Sequence, residues 1–390
     1  MAVHSQKNAL VNGKTSNTEI AVDLSPWLLK YKDGRVERLV ANTFVPASEA
    51  PGATGVATRD CHRPFHWHVG AAVPGRKLPL IVYFHGGSFC TRSAFYKLFH
   101  RYATSLSARA GALVVSVDYR LAPEHQIPAA YEDAWLADHA DPKRMFVAGE
   151  SCGANIAHNV AARAALPVPD GNEIDIEGLI LLQPYFWGTE RLPSETDGPE
   201  GSMFTAEKVD NLWPLVTAGA ADNDDPRVNP PAHLVATLPC RRALVAVASK
   251  DVIRERGCRY AQLLRKGGKC REVKLVESQG EDHGFHLYRT TRASAVELMN
   301  NVVDFINRSE PAPPIVGAEI EDLFHVASRR HVQGRDASNK VCRAMLGRAK
   351  PPIPHFGLIL GRPTSFKKGP GVAPAALGRT MMSQGTWVAL

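Results

Sequence analysis

The chain has no C-x-x-C pair, and its seven cysteines, at positions 61, 90, 152, 240, 258, 270 and 342, are scattered and odd in number. This spacing excludes a disulfide framework and a paired-cysteine zinc site, and reads as reduced thiols in a cytosolic protein. No apolar run approaches the roughly 18 residues that cross a bilayer. The start, Met1-Ala-Val-His-Ser-Gln-Lys7, has no apolar stretch of the kind that directs secretion. Neither a membrane partner nor export is therefore expected. No internal period marks a repeat array. A uniformly basic surface is missing too. The formal net charge is +7, but residues 310–390 hold 11 Lys/Arg against 5 Asp/Glu, which leaves the rest nearly neutral. The charges of that tail are dispersed and its aromatics too few for stacking platforms, so no nucleic-acid partner is expected.

What is present is a large apolar content, 44% of 390 residues, enough for one large core or two ordinary ones. Residues 1–18 are polar and expected to be disordered. So is the tail 309–390, with Pro311-Ala-Pro-Pro314, Pro351-Pro-Ile-Pro354 and Gly369-Pro-Gly371 but no sustained periodicity. Between them, apolar runs alternate with helical patterns. Leu78–Phe84 reads as a buried parallel strand. A helix with Phe95, Leu98, Phe99, Tyr102 and Leu106 on one face follows, then strand Ala112–Val117 and a short helix around Ala129–His139. Strands at Met145–Ala148, Leu179–Leu182, Ala243–Ala248 and Val273–Val276 precede a last helix, Ala293–Ile306. The alternation implies a mostly parallel sheet with helices on both faces. Residues 46–76, rich in Gly, Pro and Ala, give no clear pattern.

The centre of the chain is Gly149-Glu-Ser151-Cys-Gly153, a G-x-S-x-G turn between an apolar strand and a helix carrying small residues at 153, 157 and 161. Strand, turn and helix together describe a nucleophile elbow, in which a strained backbone lifts the serine Oγ above the sheet edge. Both glycines are expected because a Cβ at either place meets the neighbouring strand or helix. The motif alone is weak, and its context strengthens it. His85-Gly86-Gly87-Ser88 follows a strand directly, and the backbone N–H groups of Gly86, Gly87 and Cys152 are the candidate oxyanion donors. Asp251, which also suits a helix N-cap, follows another strand. His283 lies in the loop between the last strand and the last helix. The order Ser151, Asp251, His283 is the nucleophile–acid–base order of α/β-hydrolases and differs from that of the two well-known protease folds.

These motifs, with Asp118-Tyr-Arg-Leu-Ala-Pro-Glu-His125, Asp225-Pro-Arg-Val-Asn-Pro230, Glu281-Asp-His-Gly-Phe-His286 and the N-terminal Leu24-Ser-Pro-Trp27, resemble the plant carboxylesterases of the hormone-sensitive-lipase-like branch. The resemblance covers about residues 18–308. It implies an α/β-hydrolase domain over 19–308, with a small helical cap from about 20–35 and 188–230. It also implies a Ser151–Asp251–His283 triad, an oxyanion hole at Gly86, Gly87 and Cys152, and hydrolysis of small carboxylic esters. The implied protein needs no cofactor or metal and is a cytoplasmic monomer or weak dimer. Two other readings share the fold: a small-molecule receptor similar to the gibberellin receptors, and a lyase-like dehydratase. The receptors lack the triad histidine, which His283 supplies here. The chain departs from the family pattern at Ser88, usually a third glycine, and at Cys152, usually alanine. Its helix after Ala129 is shorter, and residues 57–76 are unfamiliar. There Cys61, His62, His66 and His68 have the chemistry of metal ligands, but nothing in the sequence orients them, so no metal is expected.

Overall fold

Continuous apolar runs become the central strands, because a parallel strand covered on both faces has no side that tolerates water. The computed structural model describes residues 19–308 apart from 42, 51–52, 62–64, 70–77, 138–143, 167–174, 197–201 and 203. The expected disorder of 1–18 and of the tail 309–390 falls outside the described residues. In chain order the elements are strands β1 (Ile20–Leu24), β2 (Leu28–Tyr31), β3 (Val36–Arg38), β4 (Ala57–Cys61), β5 (Phe65–Val69) and β6 (Leu80–Phe84), then helix α1 (Lys97–Ala110) and β7 (Leu113–Val117). There follow α2 (Ala129–Ala137), β8 (Met145–Glu150), α3 (Cys152–Ala164), β9 (Ile176–Leu182), α4 (Pro193–Thr196), α5 (Ala206–Val216) and α6 (Ala232–Ala236). The chain continues through β10 (Cys240–Ala248), α7 (Arg254–Gly267), β11 (Glu272–Ser278), α8 (Phe285–Tyr288) and α9 (Ala293–Asn307).

Eight strands form one sheet in the order β11-β10-β9-β8-β6-β7-β5-β4. β6 to β11 pair in parallel, while β5 runs antiparallel to both β7 and β4. The period-2 rule sorts the side chains to two cores. Leu80, Val82 and Phe84 of β6 belong to the core that α2, α3 and α7 also line, whereas Ile81 and Tyr83 belong to the one lined by α1 and α9. The helix after Ala129 is short but seated: Ala130, Tyr131 and Ala134 are buried, and Tyr131 donates its hydroxyl to Asn155 Oδ1 at 2.7 Å. The β4–β5 hairpin at the sheet edge was not readable in the sequence.

The N-terminal part of the cap differs from the helical expectation. Residues 20–38 form a three-stranded antiparallel sheet, β1-β2-β3. Local chemistry favours this: Asp23 Oδ1 accepts the Ser25 N–H at 2.7 Å, Asp33 Oδ1 accepts that of Arg35 at 2.9 Å, and Gly34 takes φ 87° between β2 and β3. Such side-chain-closed turns break a helix and reverse the chain. The second part, α4 and α5, is helical. Arg256 of α7 and Glu195 of α4, both buried, pair at 2.6 Å and tie that segment to the helix that follows Asp251.

Candidate active site

Ser151 has φ 56° and ψ −122°, backbone geometry that an L-residue tolerates only when its neighbours hold it. Here they do. Its N–H donates to Leu182 O at 2.9 Å, and its carbonyl accepts Tyr185 N at 3.0 Å and Ala154 N at 3.0 Å. The flanking glycines allow the close approach: a Cβ on Gly149 would stand 2.1 Å from Gly153 O, and one on Gly153 would stand 2.1 Å from Phe84 O. The turn therefore fixes the serine at the carboxyl end of β8, where a doubly covered parallel sheet opens its ligand crevice.

Asp251 and His283 come to the same place from the ends of β10 and β11. His283 Nε2 lies 2.9 Å from Ser151 Oγ, and Nδ1 lies 2.6 Å from Asp251 Oδ2. Asp251 Oδ1 also accepts the Ile253 N–H at 3.2 Å, closing a turn just before α7; the N-cap of that helix is Ile253 and not Asp251. All three side chains are at least nine-tenths buried. Burial alone pushes the His283 imidazole down, but Asp251 and Glu150 outweigh it and hold the ring up, at about 9. Glu150 Oε1 is 3.7 Å from His283 Nε2; burial raises this carboxyl to about 7, and the imidazole partly offsets the rise.

Two residues of the site carried no signal readable in the sequence. Glu150 is the variable position of G-x-S-x-G. Gln183, at φ 46° just past β9, accepts the Gly284 N–H on Oε1 at 2.6 Å and so pins the histidine loop.

The three candidate oxyanion donors separate. Gly86 packs against Glu150, where a Cβ would meet Oε2 at 2.0 Å, and its N–H helps to stabilise that carboxylate. Gly87, at φ 121°, and Cys152, the first residue of α3, have no backbone acceptor for their N–H groups among the described residues. Between them, Cys152 Sγ accepts the Phe89 N–H at 3.1 Å, which ties the loop after β6 to the start of α3.

Above Ser151 opens a cleft of about 540 Å³, part of it open to solvent, with Ser88, Ser151, Cys152 and His283 at its base. Its apolar lining draws on both segments expected to form the cap: Leu24, Trp27 and Leu28 from the first, Phe204, Val209 and Leu212 from the second. Trp27 stacks on Phe204 at 4.6 Å, and Phe204 meets the His283 ring edge-on at 4.8 Å.

A family profile described as the alpha/beta hydrolase fold matches residues 81–287. The chain is 36% identical over 326 residues to 2-hydroxyisoflavanone dehydratase of Glycyrrhiza echinata, covering 75% of this chain and 98% of that one. It is 33% identical over 325 residues to probable carboxylesterase 2 of Arabidopsis thaliana, covering 76% and 99%. Among solved structures, the hyperthermophilic esterase of Pyrobaculum calidifontis superposes with a TM-score of 0.53 at 30% identity, covering 62% and 78%. No described helix is long and apolar enough to cross a membrane.

Proposed function

The chain belongs to the α/β-hydrolase family, and on that premise we propose that it is a serine carboxylesterase acting on small apolar carboxylic esters. The observation that carries the reading is the unbroken line Ser151 Oγ, His283 Nε2 and Nδ1, Asp251 Oδ2 at 2.9 and 2.6 Å on the floor of an apolar cleft. Ser151 attacks the ester carbonyl while His283 takes its proton. The N–H groups of Gly87 and Cys152 stabilise the oxyanion, and His283 returns the proton to the leaving alcohol. Water then attacks the acyl-enzyme by the same route, and Asp251 keeps Nδ1 protonated throughout. A series of p-nitrophenyl esters of graded chain length, with organophosphate labelling of Ser151, tests this. A protein that turns over none of them and resists the label is not this esterase.

A relative named as a dehydratase gives a second reading specific support. The same base would remove a proton beside a carbonyl and the same donors would hold the enolate, with water as the leaving group. Loss of water from a 2-hydroxyisoflavanone without ester turnover would favour it. A receptor has no use for a histidine hydrogen-bonded to the serine, and the geometry counts against that reading. The free cysteines at 90, 152, 240, 258 and 270 suit a reducing compartment, and we place the protein in the cytoplasm; a fluorescent fusion accumulating in plastids would overturn that placement.

The base must be neutral to accept the serine proton. Because Asp251 and Glu150 hold the His283 ring above its usual 6.5, turnover is expected to rise with pH through a midpoint above that value. Glu150→Gln removes a negative charge 3.7 Å from Nε2. The imidazolium loses support, and the acid limb of the kcat/KM profile should move to lower pH by on the order of one unit. A profile that stays in place would show that Glu150 does not govern the base.

The stacked Trp27 and Phe204 are expected to set the width of the cleft. Phe204→Ala removes an aromatic contact of His283 and should lower kcat/KM for short esters about tenfold, with preference moving toward bulkier acyl groups. An unchanged chain-length preference would place the acyl group elsewhere.

A further inference from the structure

Three histidines converge outside the set of residues that line the cleft over Ser151. His66 and His68 stand two apart on β5 and so share a face; both are fully buried. Across from them, α1 brings His100. One ring nitrogen from each of the three lies within 4.8 Å of the others. The ring centroids are 4.7 Å apart for His66 and His68, 5.4 Å for His66 and His100, and 5.0 Å for His68 and His100.

Two of the rings are oriented by outer partners. His66 Nδ1 meets Asp60 Oδ1 at 2.5 Å, across the β4–β5 hairpin, and His68 Nδ1 meets Thr104 Oγ1 at 3.0 Å, one turn beyond His100 on α1. A carboxylate that accepts Nδ1–H fixes the tautomer and turns a lone pair onto Nε2. That is how ligating histidines are usually held. The Nε2 atoms of His66, His68 and His100 are buried, and none has a hydrogen-bond partner among the described residues. Buried imidazole nitrogens without partners are costly unless something fills them. His85 and His286 also hold buried ring nitrogens without partners, but neither belongs to a group of possible ligands among the described residues; here three converge.

We propose that His66, His68 and His100 form a binding site for a divalent transition-metal ion, zinc above all, that cross-links the edge strand β5 to helix α1. Imidazole is a borderline ligand suited to zinc, copper, nickel and iron, and among the described residues no thiolate or oxygen-rich set joins the cluster to favour softer or harder ions. Three nitrogens fill three of the four tetrahedral positions, and water or a small anion takes the fourth. Zinc–nitrogen bonds of about 2.0–2.1 Å require the nitrogens to approach within roughly 3.4 Å, so binding draws them in by about 1–1.5 Å. His100, the half-buried member, supplies most of that by rotating its ring. The ion would brace the antiparallel hairpin at the sheet edge. It would also stiffen the start of α1, whose Phe99 lies 5.3 Å from His85 of the loop after β6. The site is independent of the esterase reading.

The test uses full-length protein without a polyhistidine tag, stripped with chelator and then titrated with Zn²⁺ or Co²⁺ alone. Expected are one ion per chain, a tetrahedral Co²⁺ absorption spectrum, and a melting temperature several degrees higher with Zn²⁺ than in chelator. His100→Gln, His66→Gln and His68→Gln should each abolish the spectrum and the metal-dependent shift, with a cooperative melt confirming that each variant folds. Asp60→Asn, which touches no ion, should weaken binding by about 10–100-fold. The proposal is overturned if the wild type takes up neither ion at a tenfold excess, a result that needs no variant. It is equally overturned if uptake survives His100→Gln and His68→Gln, which would place the ion elsewhere.

Discussion

Ser151→Ala, His283→Ala and the double variant are each expected to lower kcat for p-nitrophenyl acetate by a similar factor, on the order of 10⁴–10⁶. The reason is that the hydroxyl and the imidazole act as one unit. The 2.9 Å contact of Oγ with Nε2 is the path by which the serine loses its proton, and either partner alone does nothing. Independent contributions would multiply in the double variant, whereas a shared step predicts that the second substitution adds almost nothing. Residual turnover then reflects the backbone donors and the apolar cleft. Asp251→Asn should be less damaging, about 10⁴-fold, since it disturbs the tautomer and leaves the serine and the ring in place. Steady-state kinetics of the four variants decide the matter. If His283→Ala stays within tenfold of the wild type, another base is at work. Glu150, a carboxyl at about 7 and 3.7 Å from the same nitrogen, would be the first to examine.

The parts that the sequence revealed share a physical trait: their signal is local. β6, β7, β8 and β10 each hold a continuous or nearly continuous apolar stretch because both of their faces are covered, and the elbow glycines answer to contacts with the neighbouring strand and helix. Ser151, Asp251 and His283 could be put in order because each ends a different strand. What could not be read depends on partners distant in the chain. β4 and β5 carry Arg59, Asp60, His66 and His68 in place of an apolar run, and only the pairing of β5 with β7 and of β4 with β5 makes them strands. In the 20–38 segment the turn at Lys32-Asp33-Gly34-Arg35 and the strand after it are legible locally, whereas the strands before it depend on the turn that Asp23 closes at Ser25. Gln183 matters only because Gly284, 101 positions later, folds onto it. His100 lies 32 and 34 positions from His68 and His66, and no spacing rule joins a strand pair to a helix residue that far away. The HGG loop is an intermediate case: its glycines were legible, but that Gly86 packs against the Glu150 carboxylate was not.

Gly153→Ala is expected to be among the most damaging single methyl additions at the described glycines. An added Cβ would lie 2.1 Å from Phe84 O and 2.6 Å from His85 O, both backbone atoms at the end of β6 that no rotamer change can move. Helix α3 must then lift from the sheet by about 1 Å. Forced overpacking of this kind costs about 1–3 kcal/mol, equivalent to a melting temperature lower by roughly 2–12 °C at this size. Because Ser151 is anchored to α3 through Ala154, its Oγ moves with the helix, and a displacement of about 1 Å from the base should cost on the order of 10²-fold in kcat. Gly268→Ala is the control. That residue closes α7 at φ 72° with nothing within 4 Å of the new methyl, so only the left-handed backbone penalty of about 1 kcal/mol applies. It should lower the melting temperature by about 2–4 °C and leave kcat unchanged. Comparing the two separates a steric demand from a conformational one. If Gly153→Ala melts like Gly268→Ala and keeps the wild-type kcat, the strand–helix contact is softer than these distances require, and the elbow's position does not depend on it.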